Sequence, residues 1–414
     1  MREKKRERYD VVIIGGGAAG LTAAIYCGRA RLNTLLIEKG LVGGLATYTN
    51  EIENFPGFPE GTTGLGLMEK FHAQAKKFGV KFKGTDVKEV NFESEWKEVH
   101  TFRNIFEARA VIIASGGRPR TTGAINEKDY LFDKGISFCA TCDAAANEGK
   151  TVMIIGSGDA AIEEGMFLTK FVREVIISVI HDDGKMDCNE IAKEQAMNNP
   201  KMSFAWNTMV NSFKGEGHLD TVELKNLKTG DLKDYKVDTC FEFIGYIPNT
   251  EIFKDKVKLD RQGYIPTNEL METGVPGVFA AGDVRDKDLK QVATAVGDGA
   301  TAGVGAEKYI ADCDVFEKQI MQAEKPGFIY VYSAIDDPSR VLLPMMSEIE
   351  KSYGGKVKLS VIDLYKGKRL CDRLACDVEP MTIFYTLNGE LAATEIDCDR
   401  PHIEQRLNKL LAKG

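Results

Sequence analysis

The chain has 414 residues, of which 43% are hydrophobic and 28% charged, and its formal net charge is −8. At roughly 150 residues per domain, this length predicts two or three domains, and the composition excludes a disordered or low-complexity chain. The acidic balance argues against a dedicated nucleic-acid-binding protein, and no uncharged apolar run reaches the ~18 residues of a membrane span.

Nine cysteines are scattered along the chain, with one close pair. An odd and scattered set does not fit the disulfide framework of a secreted protein. We therefore predict a cytoplasmic protein with reduced thiols and one working cysteine pair.

A strand, a glycine-rich turn, a helix and a second strand are predicted near the N-terminus. Residues 9–14 form a β-branched run typical of a strand buried on both faces, and Gly15, Gly17 and Gly20 follow it as G-x-G-x-x-G. Glu38 ends the second strand. These glycines let helix-start amides approach a pyrophosphate, and the glutamate can accept hydrogen bonds from a ribose hydroxyl. The combination predicts a dinucleotide site, for which the glycine pattern alone would be weak support.

The same order of elements recurs from residue 151. A strand at residues 151–155 leads into Gly156, Gly158 and Ala161, and a further apolar run covers residues 175–180. Two such units predict an α/β protein with two doubly wound, Rossmann-like nucleotide-binding domains, the second inserted in the first. The predicted boundaries are 8–120 and 247–322 for the two parts of the first domain, 121–246 for the inserted domain and 326–414 for a C-terminal α/β domain.

A second half of the first nucleotide site is predicted after the inserted domain. Gly282 and Asp283 end a strand, where the carboxylate would lie beside the ribityl chain of a flavin. Gln291 and Val292 then lead into a helix. Together with the first glycine pattern, these residues predict an FAD site rather than an isolated turn aspartate.

Cys139 and Cys142 stand at the predicted start of a helix, with Asp143 directly after them. Two cysteines at this spacing can form a strained disulfide ring, and the helix N-terminus favours one thiolate. The aspartate offers a proton donor or acceptor for a departing thiolate. Zinc binding is the alternative, but a structural zinc site needs a second pair of ligands, and Cys188 and His181 are each isolated.

Three motifs between Val11 and about Ala311 occur together in one known family. They are Gly43-Gly44 before Glu53-Asn54-Phe55-Pro56-Gly57, the string Cys139-Ala140-Thr141-Cys142-Asp143, and the segment 277–284. With them the sequence resembles the low-molecular-weight thioredoxin reductases. The predicted FAD-binding residues are Gly15, Gly17, Gly20, Glu38, Gly44, Asn54, Gly116, Gly282, Asp283, Gln291 and Val292.

The resemblance implies a homodimer that passes electrons from a donor through FAD to a cysteine pair and on to a thioredoxin-like protein. It implies that Cys142 faces the flavin, that Cys139 attacks the disulfide of the partner and that Asp143 is the acid–base group. It also implies that the inserted domain rotates, so that nicotinamide and the cysteine pair reach the flavin in turn.

The inserted domain departs from this family where the adenosine ribose would bind. Gly156, Gly158, Ala161 and Asp182 form a candidate dinucleotide site, with the aspartate at the right distance for a ribose 2′-hydroxyl. Members that use NADPH have an H-R-R-x-x-x-R segment whose arginines hold the 2′-phosphate. Here the segment is His181-Asp182-Asp183-Gly184-Lys185-Met186, and its carboxylates would repel a phosphate. This argues against NADPH and leaves NADH, ferredoxin with a vestigial nucleotide site, or a less common hydride carrier as donor.

The C-terminal domain is similar to thioredoxin by a weaker match. Asp336 and Ser339 stand where thioredoxin has its two redox cysteines. We therefore expect a domain that docks a partner, stabilises a dimer or binds the donor, and that does no dithiol chemistry of its own. Two alternatives remain for the whole chain: an NADH-dependent reductase of a peroxiredoxin system, and a redox-sensing flavoprotein scaffold.

Overall fold

The structure is a computed structural model that describes residues 4–49, 52–131, 134–317, 324–335, 337–364, 371, 374, 380–386, 390–396 and 399–412. The chain divides into two compact units, Met1–Ala306 and Glu307–Gly414. Among the described residues, no helix is both long and apolar enough to cross a bilayer. The four domain boundaries given above remain predictions.

A seven-stranded sheet is formed by strands from both ends of the first unit. Its order is β3-β2-β1-β6-β5-β4, and β17 pairs with β6. The strands β3, β2, β1, β6 and β17 run parallel to one another, whereas β5 is antiparallel to both β6 and β4. The inner strands are apolar where they are buried on both faces, as is typical of parallel strands. The strands are β1 (Lys5–Ile14), β2 (Thr34–Glu38), β3 (Lys81–Gly84), β4 (Val87–Asn91), β5 (Lys97–Thr101), β6 (Asn104–Ile113) and β17 (Val278–Ala280). The helices of these segments are α1 (Ala18–Arg29), α2 (Gly64–Lys77), α7 (Val292–Phe316) and the 3₁₀ helices Gly44–Tyr48 and Glu251–Phe253.

A second, fully parallel sheet is built from the segment between β7 (Gly117–Pro119) and β16 (Tyr246–Pro248). Its order is β11-β10-β9-β15-β8, and an antiparallel sheet of β12, β13 and β14 lies beside it in sequence. The strands are β8 (Ile136–Ser137), β9 (Thr151–Ile155), β10 (Glu174–Val179), β11 (Met202–Trp206), β12 (Thr208–Lys214), β13 (Thr221–Asn226), β14 (Leu232–Lys236) and β15 (Thr239–Glu242). The helices are α3 (Glu127–Tyr130), α4 (Ala140–Asp143), α5 (Asp159–Leu168), α6 (Glu190–Met197) and the 3₁₀ helix Ala145–Asn147.

The chain enters and leaves this second sheet through one antiparallel strand pair. β7 pairs with β16, and Arg120 N donates to Gly245 O at 2.9 Å. The sheet of the first predicted nucleotide fold is therefore built from two separate stretches of sequence and that of the second from one continuous stretch, as expected for an insertion. The α/β class and the parallel Rossmann-like sheets predicted from the sequence are confirmed.

The second unit contains a four-stranded mixed sheet of order β19-β18-β20-β21. β18 is parallel to β19 and antiparallel to β20, which is antiparallel to β21. The inner strand β18 is buried on both faces, since Phe328 and Tyr330 belong to one core cluster and Ile329 and Val331 to another. The elements are β18 (Gly327–Tyr332), α8 (Asp337–Val341), α9 (Leu343–Ser352), β19 (Lys358–Asp363), β20 (Met381–Tyr385), β21 (Leu391–Glu395) and α10 (Arg400–Leu411).

Candidate active site

The first glycine-rich turn joins β1 to α1 at the carboxyl end of the parallel strands. Gly15 has φ +108°, which side-chain-bearing residues rarely adopt. Helix α1 begins after Gly17, so its first amides have no intrahelical acceptor and can face an anion. Glu38 ends β2, and its Oε2 accepts a hydrogen bond from Gly16 N at 2.7 Å. The structure thus brings the predicted glycines and the predicted ribose acceptor together.

Gly20 allows α1 to approach this turn, and its replacement by alanine tests the site. A Cβ on Gly20 would lie 2.0 Å from Gly15 O, so the backbone must move. We expect Gly20→Ala to weaken FAD binding by at least about tenfold, on the order of 1.4 kcal/mol, measured as the flavin-to-protein absorbance ratio during titration of the apoprotein. Gly84→Ala is the matched control, because a Cβ there meets no heavy atom within 4 Å. Equal FAD binding by both variants would contradict this assignment.

The second half of the predicted FAD site lies near the N-terminus of α7. Asn54 Nδ2 donates to Gln291 Oε1 at 3.2 Å, which joins two predicted residues that are distant in sequence. Gly282 N donates to Asp298 Oδ2 at 3.0 Å. Asp283 Oδ1 lies 3.3 Å from Lys287 Nζ, with which it forms an ion pair. The remaining predicted residues lie at element boundaries: Gly44 begins a 3₁₀ helix, Gly116 follows β6 with φ +64°, and Val292 begins α7.

The cysteine pair lies in a cleft between the two nucleotide folds. A disulfide joins Cys139 and Cys142. Cys139 is extended and directly precedes α4. On the other side of the pair, Gln291 Nε2 lies 4.0 Å from Cys139 Sγ and 3.4 Å from Thr141 Oγ1. The cleft is open to solvent and is lined, among others, by Leu45, Tyr48 and Thr49 from the first fold and by Cys139, Cys142 and Asp143.

Asp143 is a partly buried carboxyl group that lines this cleft. Burial raises its pKa above the ordinary aspartate value, and a hydrogen bond from Ser137 acts in the opposite direction. The nearby Tyr246 also lines the cleft, and burial raises its pKa to about 12. A carboxyl group with a raised pKa can hold a proton closer to neutral pH, which suits an acid–base group beside a disulfide.

The second glycine-rich turn has the geometry of a nucleotide-binding turn. Gly156 has φ +126°, and a Cβ there would lie 2.4 Å from Phe243 O. Gly158 precedes α5 and has open space beside it, and Ala161 is fully buried. Asp182, the predicted ribose ligand, forms an ion pair with Lys228 in the turn between β13 and β14. The hydrogen bond from this lysine lowers the pKa of the aspartate.

Asp187 is a residue of this site that the sequence reasoning missed. Its carboxylate pairs with His181 Nε2 at 2.9 Å and accepts a hydrogen bond from Ser157 Oγ at 3.1 Å. Its amide also donates to Ser157 O, so the segment after β10 is tied to the glycine-rich turn. The signal was available, because Asp187 stands at the third arginine position of the H-R-R-x-x-x-R spacing counted from His181.

Comparison with known proteins shows to which class of protein this chain belongs. Residues 9–299 match the family described as pyridine nucleotide-disulphide oxidoreductase. The thioredoxin reductase of Peptoclostridium litorale is 42% identical over 310 residues, covering 73% of this chain and 98% of that protein. That of Bacillus subtilis is 41% identical over 305 residues, covering 73% and 95%. The crystal structure of thioredoxin reductase from Streptococcus pyogenes has a TM-score of 0.69 at 37% identity, covering 73% and 98%.

The chain therefore belongs to the thioredoxin reductase family. It is a flavoenzyme of the thioredoxin-disulfide reductase type, as the sequence predicted. The family match ends at residue 299, and about a quarter of the chain lies outside these relatives.

FAD is the cofactor that the family implies, and the residues present fit it. The buried Asp283 Oδ1 lies 3.3 Å from Lys287 Nζ and has no well-aligned hydrogen bond within the described part of the chain, so it can also accept a hydrogen bond from a ligand hydroxyl. Next to Gly17 the space for a side chain is open, since a Cβ would meet its nearest neighbour only at 3.9 Å. The residues that would hold FAD are the glycines of the first turn, Glu38 and the group around Gln291.

Proposed function

We propose that this chain reduces a thioredoxin-like protein with its Cys139–Cys142 pair and takes electrons from NADH or ferredoxin rather than from NADPH. The observation that supports this most directly is the position of the disulfide, in a cleft lined by both nucleotide folds. FAD, when bound, supplies the electron pair that opens this disulfide. The proposed protein partner is a thioredoxin or thioredoxin-like protein, and the proposed assembly is a cytoplasmic homodimer.

The roles proposed for the cleft residues follow the chemistry of thiol–disulfide exchange. Cys139, on the extended segment before α4, attacks the partner's disulfide, and Cys142 then displaces the partner by closing the internal disulfide again. Asp143 gives a proton to the thiolate that departs. These roles are supported by the partial burial of Asp143, which raises its pKa, and by its place in the same cleft as both sulfurs.

The charges around the second nucleotide fold support the exclusion of NADPH. Asp182, Asp183 and Asp187 stand at the three arginine positions of the H-R-R-x-x-x-R pattern. Lys228 is a cation at this edge, but it is ion-paired with Asp182. A 2′-phosphate placed here would meet carboxylates, whereas a ribose 2′-hydroxyl could donate to one.

The donor is tested by anaerobic reduction of the bound flavin. Oxidised FAD-loaded enzyme is mixed separately with NADH, NADPH and chemically reduced ferredoxin, and the visible flavin absorbance is followed. We expect rapid bleaching by NADH or by ferredoxin, and bleaching by NADPH slower by at least about tenfold, equivalent to ~1.4 kcal/mol.

The outcomes of this experiment separate the donors. Bleaching by NADH supports Asp182 as a ribose ligand, and bleaching by ferredoxin alone supports a vestigial nucleotide site. Rapid bleaching by NADPH contradicts the proposed effect of the three aspartates. Subsequent addition of oxidised thioredoxin distinguishes a reductase, which turns over repeatedly, from a sensor that is reduced once.

For the second unit we propose a thioredoxin-like domain without redox cysteines, which docks a partner, stabilises a dimer or binds the donor. The strand order and directions of its sheet support this fold. Ser339 is fully buried, and its Oγ accepts from Ser333 N at 3.0 Å and donates to Ser333 O at 3.2 Å. A hydroxyl with these bonds stabilises the loop and has no thiol chemistry. Asp336 lies outside the described residues.

A further inference from the structure

Ser137 connects the two ends of the redox loop. Its Oγ lies 2.5 Å from Asp143 Oδ2 and donates to it, and the same Oγ accepts a hydrogen bond from Cys139 N at 3.2 Å. One hydroxyl therefore contacts both the residue before α4 and the carboxyl group at its end. Ser137 is buried, and both of these hydrogen bonds are partly shielded from solvent.

The backbone holds this hydroxyl in a fixed place. Ser137 belongs to β8, which pairs in parallel with β15 and sets Ser137 opposite Phe241. The backbone of Asp143 is held separately, because Asn147 Nδ2 donates to Asp143 O at 2.8 Å. Asp143 is thus held at two points, since in the described part of the chain Ser137 contacts its carboxylate and Asn147 contacts its backbone carbonyl.

We propose that Ser137 is a positioning residue for disulfide reduction, which holds the Asp143 carboxyl group toward the redox cysteines and stabilises it after it has given up its proton. This inference rests on the proposed function, in which Asp143 is the acid. It adds a residue that neither the glycine motifs nor the cysteine string indicated.

The proton and electron balance defines what the hydroxyl does. The Cys139 thiolate attacks one partner sulfur, the partner's S–S bond breaks, and the departing thiolate takes the proton of Asp143. The resulting carboxylate accepts the Ser137 O–H. As the Cys142 sulfur attacks Cys139, that carboxylate takes the Cys142 proton, and the second partner sulfur leaves as a thiolate. One electron pair has then passed to the partner, and the internal disulfide is closed.

The pH dependence of disulfide reduction should reveal the contact between Ser137 and Asp143. Burial raises the pKa of Asp143, and the Ser137 hydrogen bond lowers it. Apart from the redox cysteines, the other titratable groups that line the cleft among the described residues are Tyr48 and Tyr246, and α5, which packs against α4, carries Asp159, Glu163 and Glu164. The pKa of Tyr246 is about 12, so its phenol stays neutral near pH 7, and burial also raises the pKa of Glu164. Loss of the Ser137 hydroxyl should therefore move the pH at which Asp143 loses its proton upward.

The test compares two disulfides with different leaving groups. FAD-loaded full-length enzyme is reduced anaerobically with dithionite, freed of excess reductant and mixed with bis(2-hydroxyethyl) disulfide or with 5,5′-dithiobis(2-nitrobenzoate) across a pH series. The aliphatic thiolate needs a proton to leave, whereas the aromatic thiolate is stabilised by its ring. We expect Ser137→Ala to reduce the aliphatic disulfide about tenfold more slowly than wild type. The basic limb of its pH–rate profile, the fall in rate at high pH, should move upward by about one pH unit. The aromatic disulfide should be reduced at a rate within twofold of wild type.

Two further variants complete the test. Asp143→Asn should lose the basic limb and about 10²-fold or more of the aliphatic rate, and Ser137→Thr, which keeps the hydroxyl, should keep the wild-type limb. The inference would be overturned if the basic limb of the pH–rate profile stayed in place in Ser137→Ala or moved in Ser137→Thr. It would also be overturned if Ser137→Ala lost the same factor in rate with both disulfides. Failure of the proposed function looks different, because wild-type enzyme would then reduce neither disulfide or Cys139→Ser would reduce both normally.

Discussion

Cys142→Ser is expected to abolish reduction of thioredoxin while FAD remains bound. The disulfide between Cys139 and Cys142 cannot form in this variant, so the covalent route from the cleft to the partner is interrupted. We expect the rate to fall by on the order of 10³-fold or more, since among the described residues no third cysteine lines the cleft to replace the lost sulfur. The measurement is steady-state thioredoxin reduction with the donor identified by flavin bleaching, and the flavin content is read from the same sample.

Cys139→Ser should give an equally large loss for a different reason. Here the sulfur proposed to attack the partner is absent, so no mixed disulfide with thioredoxin can be trapped, whereas Cys142→Ser should accumulate one through Cys139. Cys371→Ala is the matched control, because this buried cysteine lies in the second unit, outside the cleft. Wild-type activity in Cys142→Ser would refute the assigned redox centre, and a large loss in Cys371→Ala would indicate a general effect of cysteine removal.

The parts of the site that the sequence predicted are those that depend on local backbone geometry. Gly15 and Gly156 have positive φ values that only glycine adopts freely, and the strand before each turn is apolar because it is buried on both faces. The redox pair was predictable for the same reason. With two residues between them at the start of a helix, Cys139 and Cys142 are already within disulfide distance.

The parts that were missed are pairs of side chains brought together by tertiary structure. Lys228 lies 46 residues after Asp182 in the chain, and only the turn between β13 and β14 places the two in contact. Ser137 reaches Asp143 because α4 turns the chain back toward β8. Neither contact has a periodicity or a motif in the sequence. Asp182 could therefore be predicted as a candidate ribose ligand, but its ion pair could not.

Glu242 is a further buried residue without a sequence signal, and its environment predicts a large effect on stability. It lies at the end of β15 with only 2% of its surface exposed. Both of its carboxyl oxygens lack a hydrogen bond from the residues that the structure describes. Burial, followed by the nearby Glu127 carboxylate, raises the pKa of Glu242 to about 9. The folded protein therefore keeps this group neutral at pH 7, whereas the unfolded chain ionises it.

The direction of the pH dependence follows from proton binding. The folded state binds this proton more tightly than the unfolded chain does. Below pH 4.5 Glu242 therefore does not lower the free energy of unfolding, and as the pH rises toward about 9 it lowers that free energy progressively. At about 1.4 kcal/mol per pH unit, the loss at pH 7 is on the order of 3 kcal/mol. Glu242→Gln removes the titration, keeps the shape and lets an amide N–H face the Glu127 carboxylate. We expect this variant to be more stable than wild type at pH 7 and closer to it at pH 5.

Thermal unfolding of the FAD-loaded chain between pH 5 and pH 8 measures this difference. A gain of a few kcal/mol should raise the Tm by several degrees at pH 7, and the gap between variant and wild type should widen with pH. Glu216→Gln is the control with the same change of charge, because Glu216 is exposed in a loop of the same segment. Parallel curves for wild type and Glu242→Gln would contradict a neutral Glu242. A gap that widens only for Glu242→Gln would show that the second parallel sheet loses stability to hold a protonated carboxyl group at the end of β15.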